Sequence, residues 1–479
     1  MSVDSADQPG AVRQAGRPRA PLPFEQHPPG PVERFMSGLI RKLAWSRLSN
    51  PKVAVALSGA GLLLGLLLGA TSPNAETVGV RPPLSVLPSL AHQTVLASVM
   101  LYTADILACL GLAGMLWAHS QGWRPNPRIL VLVSGVIVAI MASLAPVGSS
   151  DVASYAAYGR ITAQGGNPYV TNPLAWFGPH SPYYVAVGGM WKSQSSVYGP
   201  FATLIQWFAA TIGRADLATT VFVLMILNGI VFIGVGLLLL KTSDDPVRAT
   251  LFWTANPVLI LELVSGGHLD TFVAAAAICA IQVARRVPRV WGDVLVGVLI
   301  GLACGVKIYA VLIALGLAWP LLLHREWLRT ARIAVIALGT LTLQYSYYGF
   351  GALKPLFGGL DLATLPSPWR LFELAGQWLG VSHPTMATLI SCLWPIALLL
   401  VAWLIYQRIS ADQPREVVAP FALTYAWILV APWVFAWYTA VAWAALTQVP
   451  RNRMTRWLTI VTVFLALCLS SGGQAAPGR

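Results

Sequence analysis

Apolar residues run along this chain in long uninterrupted stretches separated by polar connections. The runs cover 53–70, 94–117, 129–146, 200–213, 218–240, 249–265, 271–284, 290–304, 308–323, 333–350, 385–406, 417–431, 434–447 and 457–470. A helix needs about 20 apolar residues to cross a bilayer, and fewer where neighbours bury it. Within lipid only helices and closed barrels satisfy their own backbone, and these runs are continuous rather than alternating. The pattern predicts an all-α integral membrane bundle of about 13–14 hydrophobic helices, some short or broken.

Composition agrees with that reading. Apolar residues make up 56% and charged residues 10%, against about a quarter charged in soluble domains. Disorder, a coiled coil and an ordinary cytosolic enzyme are excluded. The 31 Lys and Arg outnumber the 18 Asp and Glu, giving +13. The excess sits in short connections, at Arg124/Arg128, Arg285/Arg286/Arg289, Arg325/Arg329/Arg332, Arg408/Arg415 and Arg451/Arg453/Arg456. Such placement points to cytoplasmic loops rather than to a nucleic-acid partner. The connections 71–93, 147–199 and 351–384 are poor in Lys and Arg and are expected outside.

The domain expectation follows. Residues 1–48 read as a disordered cytoplasmic tail rather than a cleaved signal. Residues 49–470 form the membrane domain, with outer loops 147–199 and 351–384, and 471–479 form a short tail. One conflict arises between Tyr198 and Lys241, where an odd number of crossings is required and two runs are present. Either Asn228-Gly229 breaks the second run and turns it back, or 200–213 lies in the interface.

The chemistry concentrates in the first long outer loop. It reads Ser149-Ser150-Asp151-Val-Ala-Ser154-Tyr155-Ala-Ala-Tyr158-Gly159-Arg160, then Gly165-Gly166-Asn167-Pro168-Tyr169, and later Tyr198-Gly199-Pro200. A serine before Asp151 suits a helix cap. Asp151, Ser154, Tyr155 and Tyr158 are then spaced to share one helix face. A carboxylate in a first helical turn is favoured in its charged form, which suits a base. The alternative is a plain cap with interfacial tyrosines. Lys307 interrupts an apolar stretch, where a charge is costly. It suits an anionic phosphate, or it snorkels to the outer interface. Arg160 suits the same phosphate or lipid headgroups. His268 and Asp270, after Gly266-Gly267, suit sugar hydroxyls or proton transfer, or Asp270 merely starts the next helix. Asp105 and Glu262 also interrupt apolar runs, and the sequence assigns them no role. Aromatic residues from Tyr345 to Phe350 and Trp433, Trp437 and Tyr438 suit a sugar groove or an interfacial belt.

These motifs, in this order, resemble the polytopic glycosyltransferases of the GT-C type, and among them the actinobacterial polyprenyl-phosphomannose-dependent α-1,6-mannosyltransferases. Asn256-Pro257, Gly266-Gly267-His268-Leu269-Asp270 and Gly305-Val306-Lys307 belong to the resemblance, which spans about residues 50–470. It implies transfer of mannose from polyprenyl-phosphate-mannose to a lipid-anchored mannan or other glycan, with inversion, at the extracytoplasmic face. It places Asp151 as the catalytic base. Ser154, Tyr155, Tyr158, Arg160, Asn167, Tyr169, Tyr198, His268, Asp270 and Lys307 are the candidate substrate-binding residues. Two departures stand out: Leu269 where relatives often carry Asn, and a single acidic residue in Ser-Ser-Asp.

Other observations narrow the alternatives. The seven histidines are scattered, and the five cysteines lie in apolar runs as small hydrophobes. Neither a metal-ligand spacing nor a nucleotide-binding glycine motif is evident, so no cofactor or metal is expected and the donor must arrive on a lipid. A GT-C enzyme using another polyprenyl-phosphate sugar is the nearest rival. A lipid or solute transporter would show paired broken helices in an inverted repeat. A structural scaffold would have no use for Lys307 or the His268/Asp270 pair.

Overall fold

The structure, a computed structural model, describes residues 50–71, 94–355, 363–409 and 413–469. The two expected tails and most of the connection 71–93 lie outside the described residues, as does 356–362 of the second outer loop. Every residue discussed below belongs to one compact unit, Arg47–Arg479.

The protein is an all-α polytopic membrane protein. Each of the fourteen apolar runs is mostly helical over its described residues, and no strand occurs among the described residues. In chain order, α1 (Pro51–Thr71), α2 (Thr94–Ser120) and α3 (Pro127–Ala142) lead to a buried loop helix α4 (Asp151–Ala163). Two short helices follow, α5 (Pro173–Phe177) and α6 (Pro182–Val185), each opened by a proline and capped by Asn172 or Ser181. Then come α7 (Pro200–Gly213), α8 (Leu217–Thr242), α9 (Pro246–Phe252) and α10 (Pro257–Leu259), the last running into a π-helical turn, Ile260–Ser265. The rest are α11 (Asp270–Arg286), α12 (Arg289–Val306), α13 (Val311–Leu323), α14 (Trp327–Tyr348), α15 (Pro368–Trp378), α16 (His383–Arg408), α17 (Arg415–Val430), α18 (Thr439–Leu446) and α19 (Met454–Leu469).

Six helical segments are long and apolar enough to cross a membrane: Pro51–Thr71, Val95–Ser120, Leu217–Thr242, Pro246–Ser265, Arg289–Val306 and His383–Arg408. The remaining runs are shorter or more polar. The 14 residues of α7 rise only about 21 Å at 1.5 Å each, less than a hydrocarbon core.

One of the two alternatives left open between Tyr198 and Lys241 is excluded. Asn228-Gly229 does not break its run: α8 is continuous from Leu217 to Thr242. The Asn228 amide is satisfied by a neighbouring segment, donating to His268 O at 2.7 Å and accepting from Thr271 Oγ1 at 2.9 Å. Gly229 meanwhile lets α3 approach, since a Cβ there would stand 3.1 Å from the Ala142 methyl. The run 249–265 is the one that breaks. Pro257 lacks an N–H to continue α9, and the Asn256 side chain instead accepts from the amides of Val258 and Leu259 at 3.1 and 3.2 Å. This irregular backbone is tolerated because 83% of the best apolar window in Pro246–Ser265 is buried within the protein rather than facing lipid.

The ends of the bundle differ in chemistry. Asp293, near the start of α12, holds Arg329 at 3.0 Å and Arg332 at 2.8 Å. Asp245 holds Arg451 at 2.9 Å and lies 3.3 Å from His119. Both networks belong to the arginine-rich connections. Asp270 and Lys307 sit at the opposite ends of α11 and α12 from Arg286 and Arg289.

Candidate active site

Three backbone devices bring separate segments to one end of the bundle. Val147 N donates to Ser265 O at 2.9 Å, tying the entry to α4 against the end of the π turn. Gly199 N donates to Val306 O at 3.1 Å, docking Tyr198-Gly199-Pro200 on the end of α12. Gly267 turns the chain with φ +69°, and a Cβ there would meet Met225 Sδ at 2.8 Å and Val152 Cβ at 3.1 Å. A side chain at 267 would thus push the His268 segment away from the residue that follows Asp151.

The result is a cluster of Asp151, His268, Asp270 and Lys307, far apart in sequence but adjacent in space. Asp151 opens α4. Its amide is bonded to Ser149 Oγ at 3.1 Å, while Ser150, at the cap position, makes no side-chain cap bond. Its carboxylate has two long contacts, to the Tyr155 hydroxyl at 3.4 Å and to His268 Nδ1 at 3.5 Å. The Asp151 side chain is 19% exposed and that of His268 is 1%. Asp270 is different. It is fully buried and bonded to Lys307 Nζ at 2.6 Å and to the Tyr309 hydroxyl at 2.7 Å. One carboxylate is committed to protein partners, and the other is accessible and loosely held.

Electrostatics follow from this arrangement. Burial works to raise the Asp151 pKa. The His268 contact, the Lys307 charge and the Tyr155 hydroxyl together outweigh burial and hold the carboxyl below its ordinary range. Burial pushes the phenols of Tyr155 and Tyr198 well up, so they stay neutral.

Aromatic rings enclose the cluster. The His268 ring stacks on Trp437 with centroids 3.7 Å apart, and Trp437 stacks on Phe435 at 4.5 Å. Tyr309 stacks on Trp427 at 4.4 Å. The Lys307 ammonium lies 4.9 Å from the Tyr438 ring centroid and 5.6 Å from that of Tyr198. Tyr198 meets Tyr155 edge-on at 4.9 Å.

The other expected site residues lie elsewhere or are already engaged. Ser154 is buried in α4, and its hydroxyl finds no partner among the described residues. Tyr158 donates to Gln194 O at 3.0 Å. Asn167 donates to Tyr348 O at 3.3 Å and accepts from Tyr169 N, while the Tyr169 hydroxyl lies 2.7 Å from Thr203 Oγ1. These contacts fasten the loop to α7 and α14. Arg160 stands in the last turn of α4, where its charge acts on Tyr183, away from Asp151. Asp270 starts α11 as expected, but its carboxylate turns to Lys307 rather than capping the helix. Lys307 is buried rather than snorkelling. Asp105 and Glu262 lie within electrostatic reach of each other and of Cys109.

Sequence reading missed Tyr309, Trp427, Phe435, Asn228 and Thr271. Tyr309 had a signal, two residues past an intramembrane lysine. Asn228 had one too, as a polar residue inside an apolar run, but it was weighed only as one of two alternatives, a break in that run. Trp427 and Phe435 had none beyond being aromatic.

Comparison with known proteins adds the following. A family model described as the N-terminal domain of alpha-(1→6)-mannopyranosyltransferase matches residues 54–323. Over 253 residues the chain is 27% identical to alpha-(1→6)-mannopyranosyltransferase B of Corynebacterium glutamicum, covering 52% of this chain and 42% of that protein. It is 26% identical over 326 residues to a probable alpha-(1→6)-mannopyranosyltransferase of Mycolicibacterium smegmatis, covering 66% and 53%. It is 26% identical over 249 residues to alpha-(1→6)-mannopyranosyltransferase A of Mycobacterium tuberculosis, covering 50% and 45%. The matched region spans about half the length of these curated relatives. No solved structure matches.

Proposed function

From the premise that this chain belongs to the alpha-(1→6)-mannopyranosyltransferase family, whose N-terminal domain model covers residues 54–323, we propose that it is a membrane mannosyltransferase. It moves mannose from polyprenyl-phosphate-mannose to a lipid-anchored mannan or related glycan, forming an α-1,6 linkage at the extracytoplasmic face. The orientation is supported by the arginine-rich connections, which lie at the helix ends opposite the cluster.

The reaction needs one proton acceptor and a stabilised leaving group. The acceptor hydroxyl attacks the anomeric carbon of the β-linked donor, and Asp151 takes its proton. The bond from that carbon to the phosphate oxygen breaks, and polyprenyl phosphate leaves with the electron pair. A single displacement inverts the centre and gives the α-product. Lys307 keeps N–H groups beyond its Asp270 bond, and these suit a phosphate oxygen. The rings of Tyr198 and Tyr438 suit the C–H faces of sugars.

The observation that carries this reading is the contrast between the two carboxylates. Asp270 is consumed by Lys307 and Tyr309, whereas Asp151 is accessible, weakly held and kept ionised. The test supplies membranes containing the protein with radiolabelled mannose on either a polyprenyl phosphate or a nucleotide, with lipid-phosphate-sugar synthesis blocked. Label should enter the glycan from the lipid donor alone. Label from the nucleotide donor refutes the lipid-donor assignment, and transfer only from another polyprenyl-phosphate sugar refutes mannose.

A further inference from the structure

Asn228 lies midway along α8 and is 1% exposed. A primary amide in an apolar span is costly unless its polar atoms are bonded. Here those bonds converge on one peptide of another segment. Nδ2 donates to the His268 carbonyl at 2.7 Å, and Oδ1 accepts from the Thr271 hydroxyl at 2.9 Å. The same hydroxyl lies 3.2 Å from the His268 carbonyl. The clamp acts where Gly267, at φ +69°, fits between Met225 of α8 and Val152 of α4.

The His268 ring needs such external placement. Its Nδ1 finds no hydrogen bond of good geometry among the described residues and stands 3.5 Å from Asp151 Oδ2. The ring is otherwise held by its stack on Trp437. Its distance to the carboxylate is therefore set by where α8 holds its backbone and by the ring beneath it.

We infer that Asn228 is a positioning residue, which fixes His268 against Asp151 through the His268 carbonyl and so sets the charge state and aim of the base. The inference rests on the reading of Asp151 as base. It accounts for a polar residue in the middle of a continuous membrane helix. It also assigns α8, which contributes no other polar contact to the cluster, a part in the chemistry.

The test uses the full chain reconstituted in lipid nanodiscs, with polyprenyl-phosphate-mannose and a mannoside acceptor. Asn228→Asp keeps shape and the acceptor for Thr271 but loses the donor to His268. Its kcat should fall roughly 10- to 100-fold, the scale expected for a misplaced catalytic geometry, with both KM values nearly unchanged, while the buried carboxylate lowers the melting temperature. The deficit should shrink toward acid pH, where the introduced carboxyl regains a proton and donates again. Thr271→Val should show a smaller loss in the same direction. Asn228→Leu should add little to His268→Gln, because both act through the contact of the His268 ring with Asp151. Unchanged kcat in Asn228→Asp, a deficit equal at every pH, or full additivity with His268→Gln overturns the inference. Asp151→Asn, run alongside, decides the base separately: an impaired Asp151→Asn with a normal Asn228→Asp removes only the positioning role.

Discussion

Replacing Asp151 and Asp270 in turn by asparagine separates the chemistry of this cluster from its architecture. Asp151 gives up two contacts of 3.4 and 3.5 Å and is partly exposed. Weak bonds of that length contribute at most about 1 kcal/mol to stability, so Asp151→Asn should melt within a few degrees of the parent. If the carboxylate is the base, turnover should drop by about 10²- to 10⁴-fold, the usual contribution of a positioned proton acceptor. Asp270 gives up a 2.6 Å bond to a buried ammonium and a 2.7 Å bond to a buried phenol. Breaking a buried pair from one side costs about 3–5 kcal/mol because the other charge is stranded. Asp270→Asn should therefore melt well below the parent and express poorly. The assay is thermal unfolding of the protein in nanodiscs, paired with transfer of labelled mannose from the lipid donor. Asp151→Asn retaining more than about a tenth of parental turnover, against the expected loss, refutes the assignment of the base. So does an unfolding shift as large as that of Asp270→Asn, which would mean the side chain is structural.

Two further predictions concern the same groups. Because the Asp151 pKa is depressed, the proposed base should stay ionised as pH falls through the ordinary carboxylate range, and activity should be lost only at lower pH. His268→Gln removes a contact that lowers that pKa, so the acid limb of the kcat profile should move to higher pH; a shift the other way contradicts the coupling. Lys307→Met should raise the KM for the lipid-phosphate donor more than that for the acceptor and should destabilise the protein by stranding Asp270. Adding Asp270→Asn should restore stability but not donor use, as read by unfolding and by donor titration.

Much of this fold was legible because the bilayer imposes a strong pattern. Helix ends such as Pro51, Pro127, Pro200 and Leu217 fall within two residues of the apolar runs that predicted them. The motif that drew attention first, Ser-Ser-Asp followed by tyrosines at helical spacing, is a helix beginning at Asp151. What was not legible was the use made of polar residues inside apolar runs. An asparagine followed by a glycine signals a turn when only local preference is weighed, yet here the asparagine is satisfied by a peptide 40 positions away and the glycine by Ala142. Asp270 and Lys307 could be placed on the same outer side from the sequence, but their direct bond could not, because the partners lie at the far ends of the helical hairpin of α11 and α12. Asn167 and Tyr169 carried motif strength but serve to bind the loop to α7 and α14. A motif marks a constraint, and sequence alone does not separate a constraint on folding from one on chemistry.

The Asp270–Lys307 pair also explains how Asp151 stays both charged and free. A lone ammonium here would seek the nearest carboxylate, and a short bond to Asp151 would occupy the lone pair that the proposed role as base requires. Asp270 takes that bond instead at 2.6 Å, with Tyr309 on its second oxygen at 2.7 Å. The lysine is then retained beside Asp151 as a source of field rather than as a contact partner. That field offsets part of the desolvation that would otherwise neutralise this carboxylate. A pair of opposite charges is also cheaper to hold among apolar helices than a single ion. Without Asp270, Lys307 would be drawn onto Asp151, so Asp270→Ala should lose turnover even in those molecules that remain folded. Trapping by an Asp151–Lys307 bond predicts that the lost activity returns in part when Lys307→Met is added, at the expense of donor affinity. No recovery in that double variant would mean that Asp270 serves stability alone.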